Sequence, residues 1–409
     1  MPFLFLLYIV AYLDRINVSF AVLQMRGQLG LSDREYGRAA GMFFAGYFFF
    51  QLPSNLVVEK VGVRRWISAL MAAWGVISCL MILIRGPHSF YVMRFLLGAT
   101  EAGFFPGMIL HMKRWFPVTA RARAVAWFMT ANPLAGVLGS PISGALLNLH
   151  AAGLSGWQWM FLVEGLPAIA LGAIVFLTLA DNPEDAPWLT ESERVWLLQT
   201  LASEQASESR IKAGKFWEVL LSPRIWLLSM VYFGVSTTMY GVTLWLPTVI
   251  RTLSGLSYFW TGVVAVIPFL ATTAAMVLVG MHSDRRSERR WHTSVPAFVG
   301  AAGLLLAGYG HSSLTVVAGL GLGLACAESM TGPFWALATS SMAGLSAAAG
   351  IAMINSVANL GGYFGPDIIG LFRTADGGFR GGLLAISVTL ALSGSIALAV
   401  GRRAGRTDR

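Results

Sequence analysis

The apolar positions of this 409-residue chain are gathered into long runs bounded by charges. A helix crosses the hydrocarbon core of a bilayer with about 20 mostly apolar residues. On that measure the pattern predicts spans near 3–23, 39–58, 66–84, 90–111, 123–147 and 158–180, and a second set near 225–250, 259–280, 294–310, 313–338, 347–372 and 381–401. One long polar segment, 181–224, separates the sets; it opens DNPEDAPWLTESERVW and holds eight acidic and five basic residues. It is expected to be a cytoplasmic linker carrying short amphipathic helices. The pattern predicts an all-α integral membrane protein with an N-terminal half (1–180) and a C-terminal half (225–409).

Composition agrees. Residues are 56% hydrophobic and 12% charged, against about a quarter charged in soluble proteins. The net charge of +9 would suit nucleic acid, but topology accounts for it. With both termini cytoplasmic, the inside loops and ends hold twenty basic residues and the outside loops seven: Arg26, Arg34, Arg38, Arg85, Arg251, Arg373 and Arg380. That is the positive-inside bias of a multi-pass protein, expected to sit in lipid and to have no nucleic-acid partner. Cys79 and Cys326 lie in apolar runs without metal or redox spacing. The first apolar run starts almost at Met1, lacks a basic leader and runs into Asp14-Arg15 instead of a cleavage site. It reads as a span, with a short basic leader or the true start expected upstream.

An internal repeat joins the two sets. NLVVEKVGVRR (55–65) follows the second span and GMHSDRRSERR (280–290) the eighth, so that at an offset of 225 Glu59-Lys60 aligns with Asp284-Arg285 and Arg64-Arg65 with Arg289-Arg290. Two six-span halves, each with an acidic-basic loop between its second and third spans, describe the major facilitator fold.

Longer motifs narrow this further: YLDRINVSFA (12–21), RFLLGATEAGFFPG (94–107), NPLAGVLGSPISG (132–144), WQWMFLVEGLPA (157–168), YGVTLWLPTVI (240–250), GPFWALATS (332–340) and AMINSVANLGGYFGP (352–366). In these the chain resembles the anion:cation symporters of the major facilitator superfamily, which include bacterial transporters of tartrate, sugar acids such as galactonate, and phthalate. His111 and Glu328 depart from the family pattern.

Charges inside spans are costly, roughly 2.5–3.5 kcal/mol each at mid-bilayer on insertion scales, and usually face a polar cavity. Asp14 and Arg15 are neighbours in the first span, about 100° apart around the helix. Tyr8, Tyr12, Arg15 and Ser19 share one face, Asp14 and Asn17 an adjoining one. In the fourth span Arg94 and Glu101 are two turns apart on one stripe, and the second span adds Tyr47, Gln51 and Asn55. Arg15 offers paired donors to a carboxylate. Glu101, among apolar residues and glycines, is a credible proton carrier, with Asp14 the second candidate and Arg94 a counter-charge. The resemblance implies the same division: substrate binding and proton coupling on the Asp-Arg of the first span and the Arg and Glu of the fourth. That these charges only pair to hold two helices together remains the alternative. Glu164 reads as structural, meeting loop arginines; Glu328 as a second titrating site or an acid at the cavity rim; and His111, His282 and His292 as surface residues.

The second half offers Tyr232, Ser236, Tyr240 and Thr243 on one stripe, with Asn355 and Asn359 one turn apart. With Asn132 beside Pro133, these could hydrogen-bond a hydroxylated acid, or simply join helices. Trp245 and Trp335 could stack on a ring or merely pack. The Gly-Pro segment 136–144 is expected to hinge and pack. Glu59, Arg64, Arg65, Asp284, Arg285 and Arg289 are expected, from the resemblance, to bridge helix ends and favour an outward-open state.

The expectation is a monomeric, proton-coupled importer of a small organic anion, a hydroxy or sugar acid, with no cofactor beyond the proton. An aromatic carboxylate, kept open by GMFFAGYFFFQ (41–51), or a ligand sensor on the same scaffold are the alternatives. No nucleophile-base pair or metal constellation points to an enzyme.

Overall fold

A computed structural model describes residues 1–208, 221–339, 344–373 and 378–407. The linker charges Arg210, Lys212, Lys215 and Glu218, and the terminal Arg409, lie outside the described residues. Each of the twelve predicted segments is helical. The first half comprises α1 (Pro2–Ile16), α2 (Val18–Leu29), α3 (Asp33–Val61), α4 (Val63–Leu80), α5 (Pro87–Glu101), α6 (Phe104–Trp115), α7 (Val118–Met129), α8 (Ala131–Leu146) and α9 (Gly156–Thr178). After α10 (Glu191–Glu208) come α11 (Pro223–Ser254), α12 (Tyr258–Arg286), α13 (Arg290–Tyr309), α14 (Ser313–Ser329), α15 (Thr331–Thr339), α16 (Gly344–Leu371) and α17 (Arg380–Thr407). Spans 1, 4, 5 and 10 are broken helix pairs. Among the described residues, eight helices or helix pairs are long and apolar enough to cross a membrane.

The helices overrun the apolar runs because their ends are capped by polar groups beyond them. Ser32 accepts from the Glu35 amide while Glu35 accepts from the Ser32 amide, a reciprocal cap that starts α3. Ser257, 225 residues on, starts α12 by accepting from the Trp260 amide. The preceding helices both end on a left-handed glycine, Gly30 (φ 64°) and Gly255 (φ 65°), again 225 apart. The repeat seen in the loop charges therefore extends to helix ends.

Packing repeats in the same way. α4 packs on α9 as α13 packs on α17, and α3 on α5 as α12 on α14. The halves meet along two equivalent seams, α3 with α16 and α8 with α12. Both seams close at the bundle face that carries the starts of α3 and α12 and the ends of α8 and α16. A Cβ on Gly37 or Gly41 would come 2.5 or 2.6 Å from the carbonyl oxygens of Pro366 and Tyr363, and one on Gly144 would lie 2.5 Å from that of Tyr258. The Gly-Pro segment of α8 thus packs directly against the other half. Asp33 adds ion pairs on this face, to Arg26 at 2.7 Å and across the seam to Arg373 at 2.6 Å. Trp245 is buried there, donating to the Pro366 carbonyl and meeting Tyr36 edge-on, so its role is packing.

Among the described residues the linker carries a short 3-10 turn at Pro183–Asp185 and the 18-residue α10. Glu204 docks it on α7 by accepting from the Val118 amide at 2.9 Å and facing Arg121. Asp181 accepts from the Arg64 amide at 2.8 Å and so caps α4. Glu59 and Arg65 are exposed, whereas in the second loop Asp284 pairs with Arg289 at 2.6 Å beside exposed Arg285.

Gly98 sets how closely α5 approaches α3, because a Cβ there would collide with the Phe43 carbonyl oxygen. Gly98→Val is expected to cost about 1–3 kcal/mol by overpacking. It should lower the melting temperature in detergent; an unchanged value would contradict this packing.

Candidate functional site

The intramembrane charges divide into two groups. Arg15, Arg94 and Glu101 gather where α1, α3 and α5 meet, and all are buried. Arg15 donates to Glu101 Oε2 at 3.1 Å and reaches across the half-interface to the Tyr240 hydroxyl at 3.3 Å. Its guanidinium also lies over the rings of Tyr12, Phe43 and Tyr47, at 5.8, 5.1 and 5.3 Å. Arg94 lies 5.0 Å from the same Phe43 ring, so one aromatic side chain borders both cations.

Arg94 is fully enclosed, and none of its three guanidinium nitrogens has a hydrogen-bond partner. Glu101 Oε1 is likewise buried without a partner. A buried charge left unpaired costs several kcal/mol. The acid thus has one oxygen committed to Arg15 and one uncommitted, on the same helix as a second, unsatisfied arginine.

Asp14 belongs to a different place. It is buried against span 3, accepting from Ser78 at 2.8 Å and from Asn17 at 3.4 Å, and it makes no ion pair with Arg15. Glu164 does not meet loop arginines: it is buried within the first half and accepts from Ser143 at 2.7 Å. Its position one-third along α9, inside the membrane segment, puts the loops out of reach. His111 is also buried, 5% exposed beside Trp115, contrary to the surface reading, because the end of α6 is covered by its neighbours. His292 is half-buried and pairs with Glu288, while His282 is exposed.

Of the other predicted residues, Gln51 and Asn359 join the halves, Asn359 donating to Gln51 at 3.2 Å. Asn355 is half-buried one turn away. Asn132 is 8% exposed with Oδ1 unpartnered. Tyr232 stacks on Phe334 and meets Trp335 edge-on. Phe43 was missed by sequence reasoning; its signal was its place one turn before Tyr47 on the polar stripe of span 2. A separate cavity of about 510 Å³ opens on the closed face, lined by Arg26, Asp33, Tyr36, Trp245, Thr248 and Arg251 among others; it contains none of the central charges.

The family model described as Major Facilitator Superfamily matches residues 4–366. The chain belongs to the major facilitator superfamily. Among relatives of this superfamily member, a protein of Agrobacterium vitis named for tartrate transport is 46% identical, over 98% of this chain and 93% of its own. A quinolone resistance transporter of Acinetobacter baumannii is 40% identical over 95% and 90%. Among solved structures, a bacterial homologue of the human lysosomal transporter Spinster, inward-facing and occupied, superposes with a TM-score of 0.80 at 16% identity, covering 98% of this chain and 96% of that one. The chain is a multi-pass membrane transporter, not an enzyme.

Glu101→Ala would leave Arg15 buried without its acid, at an expected cost of about 3–5 kcal/mol. The melting temperature in detergent should fall, and adding Arg15→Met should restore much of it. A single variant as stable as wild type would show that the pair contributes nothing to the resting state.

Proposed function

We propose that this protein imports a small organic anion together with protons by alternating access, the two halves 1–180 and 225–409 rocking about the central charges. The observation that carries the reading is the pairing of Arg15 with Glu101 beside Arg94, whose three nitrogens lack partners. An anion that takes Arg15 must displace Glu101. The displaced carboxylate then has two outcomes, a proton or Arg94. Protonation from outside would free Arg15 for the substrate, and loss of that proton inside would return Glu101 to Arg15 and expel the anion. Coupling needs only that substrate bind the protonated carrier better than the deprotonated one.

In this reading both termini are cytoplasmic, the membrane is a bacterial inner membrane, and the closed face is the outer one. Tyr12, Tyr47, Gln51, Asn132, Tyr240, Asn355 and Asn359 would contact substrate. Asp14, turned into the first half, would respond to the charge state of Glu101 through the helix it shares with Arg15. The proton is the coupling ion, no further cofactor is needed, and a monomer suffices. The aromatic rings of Tyr12, Phe43 and Tyr47 around Arg15 favour, as a second reading, a carboxylate on an aromatic ring.

Purified protein in liposomes loaded with a pH dye tests the reading, with tartrate, galactonate, phthalate and hydroxyphenylacetate added singly. One acid should acidify the lumen through wild type and not through Glu101→Gln. No acidification by any of them despite saturable binding would contradict proton symport for these ligands.

A further inference from the structure

Glu328 and Glu101 occupy corresponding places in the two halves. Glu101 ends α5 just before the break at Ala102–Gly103, with Pro106 five residues on. Glu328 lies at the end of α14 just before the break at Met330, with Pro333 five residues on. Arg15 and Tyr240 correspond as well: they stand 225 residues apart, the offset of the Gly30/Gly255 and Ser32/Ser257 helix ends, and touch across the interface. Each half therefore brings one acid to the centre. Where the first half sets an arginine against its acid, the second sets a tyrosine.

Glu328 is 9% exposed, and its oxygens are not among the sealed atoms that lack partners, so the carboxyl borders open space. It lies within electrostatic reach of Tyr12, Tyr232 and Tyr240. Among the described residues no Lys, Arg or His pairs with it. The charge balance of the centre is then informative. Both cations of the centre, Arg15 on α1 and Arg94 on α5, belong to the first half, where Arg15 would take the substrate carboxylate. A second carboxylate at the far end would find no further cation and would face Glu328.

We propose that Glu328 is a specificity residue of the transport site: it accepts from the hydroxyl-bearing end of a monocarboxylate whose carboxylate lies on Arg15, and it rejects a second carboxylate at that end. The assignment rests on the organic-anion reading above. Tyr12, Tyr232 and Tyr240 complete a subsite of hydrogen-bonding groups around the hydroxylated end, while like-charge opposition supplies the discrimination.

The test uses the full-length protein in liposomes and two six-carbon acids, galactonate and galactarate, which differ only in a primary hydroxyl or a carboxylate at the far end. Wild type should favour galactonate in kcat/KM by about tenfold or more, the scale of a like-charge contact in a partly desolvated site. Glu328→Gln keeps size and hydrogen bonding but removes the charge, and should shrink the ratio about tenfold by gaining galactarate. Glu328→Asp should keep the preference. Equal handling of the two acids by wild type, preference for galactarate, or a ratio unmoved in Glu328→Gln overturns the proposal. So does loss of all proton-coupled uptake in Glu328→Gln with an unchanged melting temperature, which would make Glu328 a proton carrier. If that variant does not fold, the wild-type ratio still decides. Uptake of tartrate or phthalate without galactonate overturns this assignment alone, whereas silence from every acid overturns the transport reading and this one with it.

Discussion

A guanidinium inside a bilayer has to be neutralised where it lies, because water is not available to do so and the ion cannot shed its proton. Two such groups stand at the centre of this molecule, and a single acid is placed to serve both. Glu101 holds Arg15 at 3.1 Å while Arg94, two turns back on the same helix, is enclosed with no partner. Much of the surrounding architecture follows from keeping these three side chains close and dry. The glycine at position 98 lets α5 approach α3, Phe43 borders both cations, and Tyr240 arrives from the other half to meet Arg15.

The same arrangement gives the centre a reason to move. An ion pair that bridges elements within one half, and a hydroxyl that reaches it from the other, would both change contacts if, as proposed, an anion competes for the guanidinium. The two seams between the halves are both closed on one face by glycine-to-carbonyl packing and by the pairing of Asp33 with Arg26 and Arg373. Because α3–α16 and α8–α12 are equivalent under the internal repeat, the same kind of contact closes both seams on this face.

The fold was legible where a single physical demand dominates. Every predicted span became a helix because lipid tolerates little else, and the offset of 225 residues reappears in Gly30 and Gly255, Ser32 and Ser257. The Arg94–Glu101 stripe and the Arg15 face were also visible, since helical spacing decides which residues share a side. Tertiary direction was not visible. Spacing alone separated Asp14 from Arg15 by a fifth or more of a turn, yet only packing shows it bound to Ser78. Glu164 and His111 went astray for the same reason, their surroundings being set by helices distant in sequence. Asp181 capping α4 is likewise a contact between residues more than a hundred positions apart.

The proposed role of Glu101 is to link the proton to the anion through Arg15, beyond holding the helices together. It is tested most directly by comparing two modes of transport in Glu101→Gln liposomes. Exchange of labelled for unlabelled anion needs no net proton movement, whereas accumulation against a gradient does. The variant should keep exchange and lose accumulation driven by an inward proton gradient, while wild type does both. Accumulation by the variant at the wild-type level would contradict it.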